Sequence, residues 1–236
     1  MAFTELNSVE NFIIHQLSGV NLNTGSERVL DDGKSESPRW QYRSAQELDR
    51  SVNEVLLEEN IKESLQKLNP EIAAVPERAD EVLHRLRSII ISVAQTGLVR
   101  ANEEFLAWCN GEKTMPFGEN NAHVPVRIFD FENIHNNQYI ITNQFRVHLR
   151  ETKIPDVVLF INGIPVVVGE LKTPIRPSIS WLDGAHEIHD IYENAVPHLF
   201  VPNILSFASE GKEIYYGAVR TPLEFWAPWR IEEENS

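Results

Sequence analysis

The sequence predicts a mixed α/β fold: a mixed β-sheet flanked by helices, with an N-terminal helical part. Three observations carry that expectation. Apolar residues recur at helical spacing up to about residue 120, short β-branched runs begin at Val124, and a helix-length stretch then separates two last strand-like runs. With 236 residues, 42% hydrophobic and 24% charged, the chain is long enough to bury a sizeable core. One domain over 1–236 is expected, with a mainly helical portion at 1–120, a β-rich core at 121–222 and a C-terminal tail at 223–236.

The first element is a helix from Asn7 to Leu17, with Asn7 or Ser8 able to cap it and Val9, Phe12, Ile13 and Leu17 spaced for one buried face. Residues 20–43 mix Gly, Ser, Asn and Pro without a period, which suits a loop carrying one short strand. Helical patterning returns over Ser44–Leu68 and Glu77–Cys109. In the second stretch Val82, Leu86, Ile89 and Val93 mark the buried face, and Gly97 divides it into two helices. The strand runs are VPVRIFDF, YIITNQFRVHL, PDVVLFING and IPVVVGELK, and the last two meet at Asn162-Gly163, the dipeptide that suits a tight type I′ hairpin turn. Their unbroken apolar character predicts central strands covered on both faces. After Pro174 and Pro177 a helix spans about Trp181 to Val196, stopped by Pro197, and ILSFAS and EIYYGAV follow as strands around Glu210-Gly211.

The formal charge of −14 argues against a chain that holds nucleic acid or anionic lipid by general positive charge. The charge is uneven, however: residues 121–180 carry 6 basic and 5 acidic side chains, so the deficit lies in the segments before and after them. The single cysteine, Cys109, forms no intrachain disulfide and implies a reducing, cytoplasmic compartment. The first residues lack the basic start of a signal peptide, and no apolar run reaches membrane-span length. The terminal EEENS reads as a solvated tail.

Charged residues are rare in the apolar strands, so those present need a reason. Asp156 stands just before the strand 157–161, and Glu170 and Lys172 end the strand 164–172 on one face, with Leu171 directed into the other. A turn centred on 162–163 pairs position n with about 325 − n, which sets Asp156 opposite about Gly169. Two hard carboxylates and the Leu171 carbonyl make a partial Mg2+ shell, with waters completing the octahedron. Such an ion stabilises charge on a scissile phosphate, and Lys172 can orient water or neutralise the phosphorane. The bland alternative is an ion pair at a strand end, with Asp156 capping the turn.

IPDVVLFINGIPVVVGELKTP resembles the PD-(D/E)xK nuclease signature in the form typical of the N-terminal nuclease domain of type I restriction enzyme R subunits. FDFEN at 129–133, ITNQF at 141–145, PHLFVPN at 197–203 and SEGKEIYYGAV at 209–219 support the likeness, which is dense from about 98 to 220. The resemblance implies a restriction-endonuclease-like core in which Asp156 and Glu170 are Mg2+ ligands and Lys172 is the catalytic lysine. It also implies an acid on the first helix, best matched by Glu10, although an exposed helix glutamate is the commoner state. Many members carry a Gln and a Tyr about four residues apart on the helix after the lysine. Tyr192 matches the Tyr, while Glu187 and Ile188 stand where the Gln is sought.

By the same resemblance, the 236 residues are the cutting part of a longer subunit whose motor domains use ATP. The implied partners are double-stranded DNA and the methyltransferase and specificity subunits, with no membrane. A competing expectation is a catalytically idle module that keeps the fold for docking, using its acidic helical face. The remaining motifs are thin. His186, His189 and His198 form no metal pair and read as surface histidines, Cys109 has no basic partner nearby in sequence, and FWAPWR (225–230) reads as a packed C-terminal lid.

Overall fold

The computed structural model describes residues 9–27, 37–172 and 180–229. Its centre is a seven-stranded mixed sheet: β1 (Gln41–Tyr42), β2 (Tyr139–Asn143), β3 (Val157–Ile161), β4 (Ile164–Leu171), β5 (Leu205–Ser209), β6 (Ile214–Gly217) and β7 (Ala227–Pro228). Each strand pairs with its neighbours in chain order. The β1–β2 and β4–β5 pairs are parallel and the others antiparallel. Helices α2 (Glu58–Leu68), α3 (Pro70–Ala74), α4 (Arg78–Thr96) and α5 (Leu98–Cys109) precede β2, whereas α6 (Trp181–His186), α7 (Glu193–Ala195) and α8 (Pro197–Phe200) lie between β4 and β5. The parallel β4–β5 pair needs such a crossover. The mixed α/β expectation therefore holds.

Alternation along the strands divides the core in two. Ile140, Val158, Phe160, Val166 and Val168 join α2, α4, α5 and α8 in the larger cluster. Ile141, Val157 and Leu171 point the other way, onto Val9 and Ile14 of the first helical segment, whose α-helical part is α1 (Asn11–Ser18). The hairpin turn is as expected, with φ of 51° at Asn162 and 83° at Gly163. The Asn162 side chain is buried, donating to the Ile128 carbonyl at 2.8 Å and accepting from the Gln138 N–H at 2.7 Å. FDFEN gathers at this same end, where Asp130 accepts from the Asn133 N–H and the Asn136 amide. That phrase braces the turn rather than the acidic end of the hairpin.

Several expectations are corrected. The helix expected from Ser44 starts only at Glu58, because Glu47 and Glu54 accept from the N–H groups of Ser44 and Ser51 and hold local turns instead. VPVRIFDF contributes only the short strand Val124–Pro125, since proline has no N–H for a ladder and Asp130 knots the chain beyond it. Among the described residues of 20–43, expected to carry one short strand, Val20–Asn21 and Ser26–Glu27 form a hairpin and Gln41–Tyr42 is β1. His198 is buried, not on the surface; burial, then Arg50 and His148, push its imidazole down to about 4. In FWAPWR Trp226 is buried and Ala227–Pro228 form β7, while Phe225 and Trp229 are exposed. The caps expected at Asn7 or Ser8, the prolines at 174 and 177, and the EEENS tail lie outside the described residues. Among the described residues no helix is long and apolar enough to cross a membrane.

The turn also fixes where α2 docks. Leu57 donates its N–H to the Gly163 carbonyl at 2.9 Å, and a Cβ on Gly163 would sit 2.4 Å from the Leu57 carbonyl oxygen. Gly163→Ala combines that clash with a left-handed backbone, and is expected to lower stability by about 2 kcal/mol or more in urea denaturation. An unchanged midpoint would show that the turn does not hold α2.

Candidate active site

The acidic end of the β3–β4 hairpin is shaped by an irregularity in its pairing. From the turn, Ile161 and Phe160 face Ile164 and Pro165 in the simple hairpin register. A bulge between Pro165 and Val167 then shifts the pairing by one, so that Val158 faces Val168 and Val157 faces Gly169. Asp156 thereby comes level with Glu170, not with Gly169 as expected from the turn alone. Asp156 is tied to β4 by the Leu171 N–H, which donates to its Oδ2 at 2.8 Å.

Lys172 lies on the Glu170 side of the strand, as expected, and its Nζ is 2.9 Å from Glu170 Oε1 and 2.5 Å from Glu187 Oε2. Glu187 is carried by the segment after α6. Ser180 starts that helix with a capping box: its hydroxyl accepts from the Leu182 N–H, and its own N–H donates to Asp183. Trp181 stacks on Tyr215 with ring centroids 3.8 Å apart, anchoring α6 to β6. Gly184 allows close approach to β4, since a Cβ there would lie 3.3 Å from the Glu170 carbonyl oxygen. Residues Glu187–Tyr192 form a π-helical turn, and the Tyr192 hydroxyl donates to Glu187 Oε1 at 3.0 Å. Ile188 is buried in the larger core cluster, so of the two positions considered for the Gln it is Glu187 that reaches the site.

Glu10 is buried at 2% exposure, which corrects the expectation of an exposed helix glutamate. It reaches the site through Gln144, whose Nε2 donates to Glu10 Oε1 at 2.7 Å and to Asp156 Oδ1 at 3.2 Å. Gln144 has a positive φ of 50° just past β2. Its role was not predicted, although it lies within ITNQF; neither its residue type nor its spacing signals the left-handed backbone that places it. The structure thus brings Glu10, Asp156, Glu170, Lys172, Glu187 and Tyr192 to one place. His186 and His189 remain outside this network, both bonded to Asp190.

Among the described residues, the Lys172 ammonium bridges Glu170 and Glu187, with Asp156 beside them. Burial, and then the Asp156 charge, push the Glu170 carboxyl up to about 9 despite the bond from Lys172. Burial opposes the charge on Lys172, but Glu170 and Glu187 outweigh it and raise its pKa. Burial likewise opposes ionisation of Glu187, while bonds from Lys172 and Tyr192 hold its carboxyl below the ordinary range. Glu170 Oε2 is buried and has no hydrogen-bond partner among the described residues. A buried carboxyl oxygen of this sort is of the hard-donor kind that suits a divalent cation. Among the described residues no three acids, histidines or cysteines converge as a ready-made metal cluster. The shell expected from sequence asks for only two carboxylates and the Leu171 carbonyl.

A family model described as type I restriction enzyme R protein N terminus matches residues 31–225. The chain is 27% identical over 230 residues to the type I restriction enzyme HindI endonuclease subunit of Haemophilus influenzae, covering 91% of this chain and 21% of that protein. It is 31% identical over 130 residues to the putative type I restriction enzyme MjaIXP endonuclease subunit of Methanocaldococcus jannaschii, covering 53% of this chain and 12% of that one. The chain therefore matches about a fifth or less of these relatives' length.

The raised Glu170 pKa fixes a sign for stability. Between the ordinary carboxyl range and about 9, the folded chain keeps a proton that the unfolded chain has released, so stability falls as pH rises through that window. In chelator, urea denaturation from pH 5 to 9 is expected to show this decline, with a slope of up to about 1.4 kcal/mol per pH unit. Glu170→Gln flattens it; an equal slope in that variant would place the titrating group elsewhere.

Proposed function

The chain belongs to the type I restriction enzyme R protein N-terminus family, and from that membership we propose that it is a Mg2+-dependent DNA endonuclease domain of a restriction complex. Its substrate on this reading is the phosphodiester backbone of unmodified DNA, cut after ATP-driven translocation by other parts of a full-length subunit. One observation carries the proposal. Asp156, Glu170 and Lys172 gather at one end of the β3–β4 pair, with a buried Glu170 oxygen that has no hydrogen-bond partner among the described residues. The printed names of the relatives, which are restriction endonuclease subunits, support it.

Asp156, Glu170 and the Leu171 carbonyl would hold Mg2+, which supplies Lewis-acid stabilisation of the charge that builds on a scissile phosphate. The chain's own groups do the rest. Lys172, held between Glu170 and Glu187, stays an ammonium and serves as a donor and a positive charge, not as a base. It can orient the attacking water and neutralise the pentacoordinate phosphate. Tyr192 fixes Glu187, and Glu187 fixes Lys172. The methyltransferase and specificity subunits are the proposed partners, and they supply the sequence recognition that a chain of formal charge −14 does not favour through general positive charge.

Asp156→Ala and Lys172→Ala, placed in the full-length subunit and assembled with those partners, are expected to lower DNA cleavage by about a thousandfold or more while leaving ATP hydrolysis intact. Cleavage retained in both variants would sink the nuclease assignment and leave the idle docking module. On the chain itself, Mg2+ at a hundred times its Kd is expected to stabilise folding by about 2.7 kcal/mol. If that thermal shift persists in Glu170→Ala, the ion binds elsewhere.

A further inference from the structure

Gln144 stands outside the residues expected to do chemistry, yet its side-chain nitrogen touches two of the site's acids. One N–H goes to Glu10 Oε1 at 2.7 Å and the other to Asp156 Oδ1 at 3.2 Å. Its backbone is tied to the same neighbour. The Gln144 N–H donates to the Asp156 carbonyl and the Phe145 N–H to the Pro155 carbonyl, both at 3.0 Å, prolonging the β2–β3 pairing past its last rung at Asn143 and Val157. The residue does this with φ at 50°, a conformation that glycine and asparagine adopt more readily than glutamine. A strained backbone whose side-chain nitrogen is bonded to two acids points to a use for that side chain.

A donor shared by two carboxyl groups holds them in a fixed relation, and the Gln144 amide nitrogen gives one oxygen of each a hydrogen bond. A lysine or arginine in this place would cancel their charge and compete with a divalent cation. A neutral amide satisfies an oxygen of each without adding charge. We propose that Gln144 is a positioning residue that clamps Glu10 to Asp156 and fixes the orientation of the Asp156 carboxylate toward the metal. This role rests on the nuclease reading of Asp156 and Glu170. Groups that orient metal-ligating carboxylates typically change metal affinity ten- to a hundredfold when removed.

The test uses the 236-residue chain, with Mg2+ affinity measured by calorimetry and folding by thermal denaturation in chelator. Gln144→Gly relaxes the left-handed backbone and removes the amide; Gln144→Met keeps the volume and removes only the donors. Both variants are expected to bind Mg2+ about tenfold more weakly, and Gln144→Gly to melt no lower than the parent chain. In a Glu10→Ala background the effect of Gln144→Met is expected to shrink below about threefold, since the clamp then has nothing to hold. Unchanged affinity in both Gln144 variants, with Asp156→Ala still abolishing binding, overturns the clamp alone. An undiminished tenfold loss in the Glu10→Ala background also overturns it. A parent chain that binds no Mg2+, or an Asp156→Ala chain that binds it equally well, overturns the metal site and the clamp together.

Discussion

The bulge between Pro165 and Val167 decides which face of the sheet receives Asp156. Directly opposed residues of an antiparallel pair point to the same face, and a slip of one residue sends a side chain to the other. Continued from the turn without a bulge, the pairing would set Asp156 against Gly169, on the face where Leu171 packs against Val9 and Ile14. With the bulge it comes level with Glu170, on the face where Lys172 and Glu187 meet. The turn holds this register from the far end. Asn162 is locked to the Ile128 carbonyl and Gly163 to the start of α2, so the slip can occur only at the bulge.

The site so assembled works against the stability of the chain. Glu170 is 3% exposed, with one oxygen bonded to Lys172 and the other without a partner among the described residues. Among the described residues the Lys172 ammonium bridges two acids, Glu170 and Glu187, and burial with the Asp156 charge still pushes the Glu170 carboxyl up to about 9. A core elsewhere in the fold would fill such a place with apolar side chains, as β3 and β4 do along the rest of their length. Local conflict of this kind, set on rigid central strands, marks a functional site more often than a structural one. It also accounts for the uneven titration: burial and the Asp156 charge keep the proton on Glu170, while Glu187, bonded to Lys172 and Tyr192, gives its proton up.

The sequence made the main lines legible because they rest on local rules. Asn162-Gly163 specified its turn, apolar runs specified central strands, and Gly97 divided α4 from α5 with φ at 81°. Asp156, Glu170 and Lys172 stood out because charge is rare in such strands. What escaped depends on tertiary context. No residue type announces the bulge, the left-handed Gln144 or the burial of Glu10, which follows from α1 lying against the sheet. His198 looked like a surface histidine because a four-residue helix carries no period by which to judge its face. Ser44 to Leu57 read as helix from composition, but carboxylates three residues on captured the N–H groups of Ser44 and Ser51.

Glu187 shows how local geometry can preserve a contact when spacing changes. The resemblance implied a Gln and a Tyr about four residues apart, close to one full turn of an α-helix, whereas Glu187 and Tyr192 are five apart. At 3.6 residues per turn, positions five apart diverge by about 140° and could not share a hydrogen bond. The π-helical turn over Glu187–Tyr192 absorbs the extra residue, and the Tyr192 hydroxyl still reaches Glu187. Exchange of an amide for a carboxylate then alters what the pair can do. An amide would offer Lys172 one neutral oxygen; Glu187 offers it a second anion, at 2.5 Å, opposite Glu170. Lys172 is therefore fixed in place and in charge by two partners on different elements, and the position of α6 along β4 becomes part of the setting of the lysine.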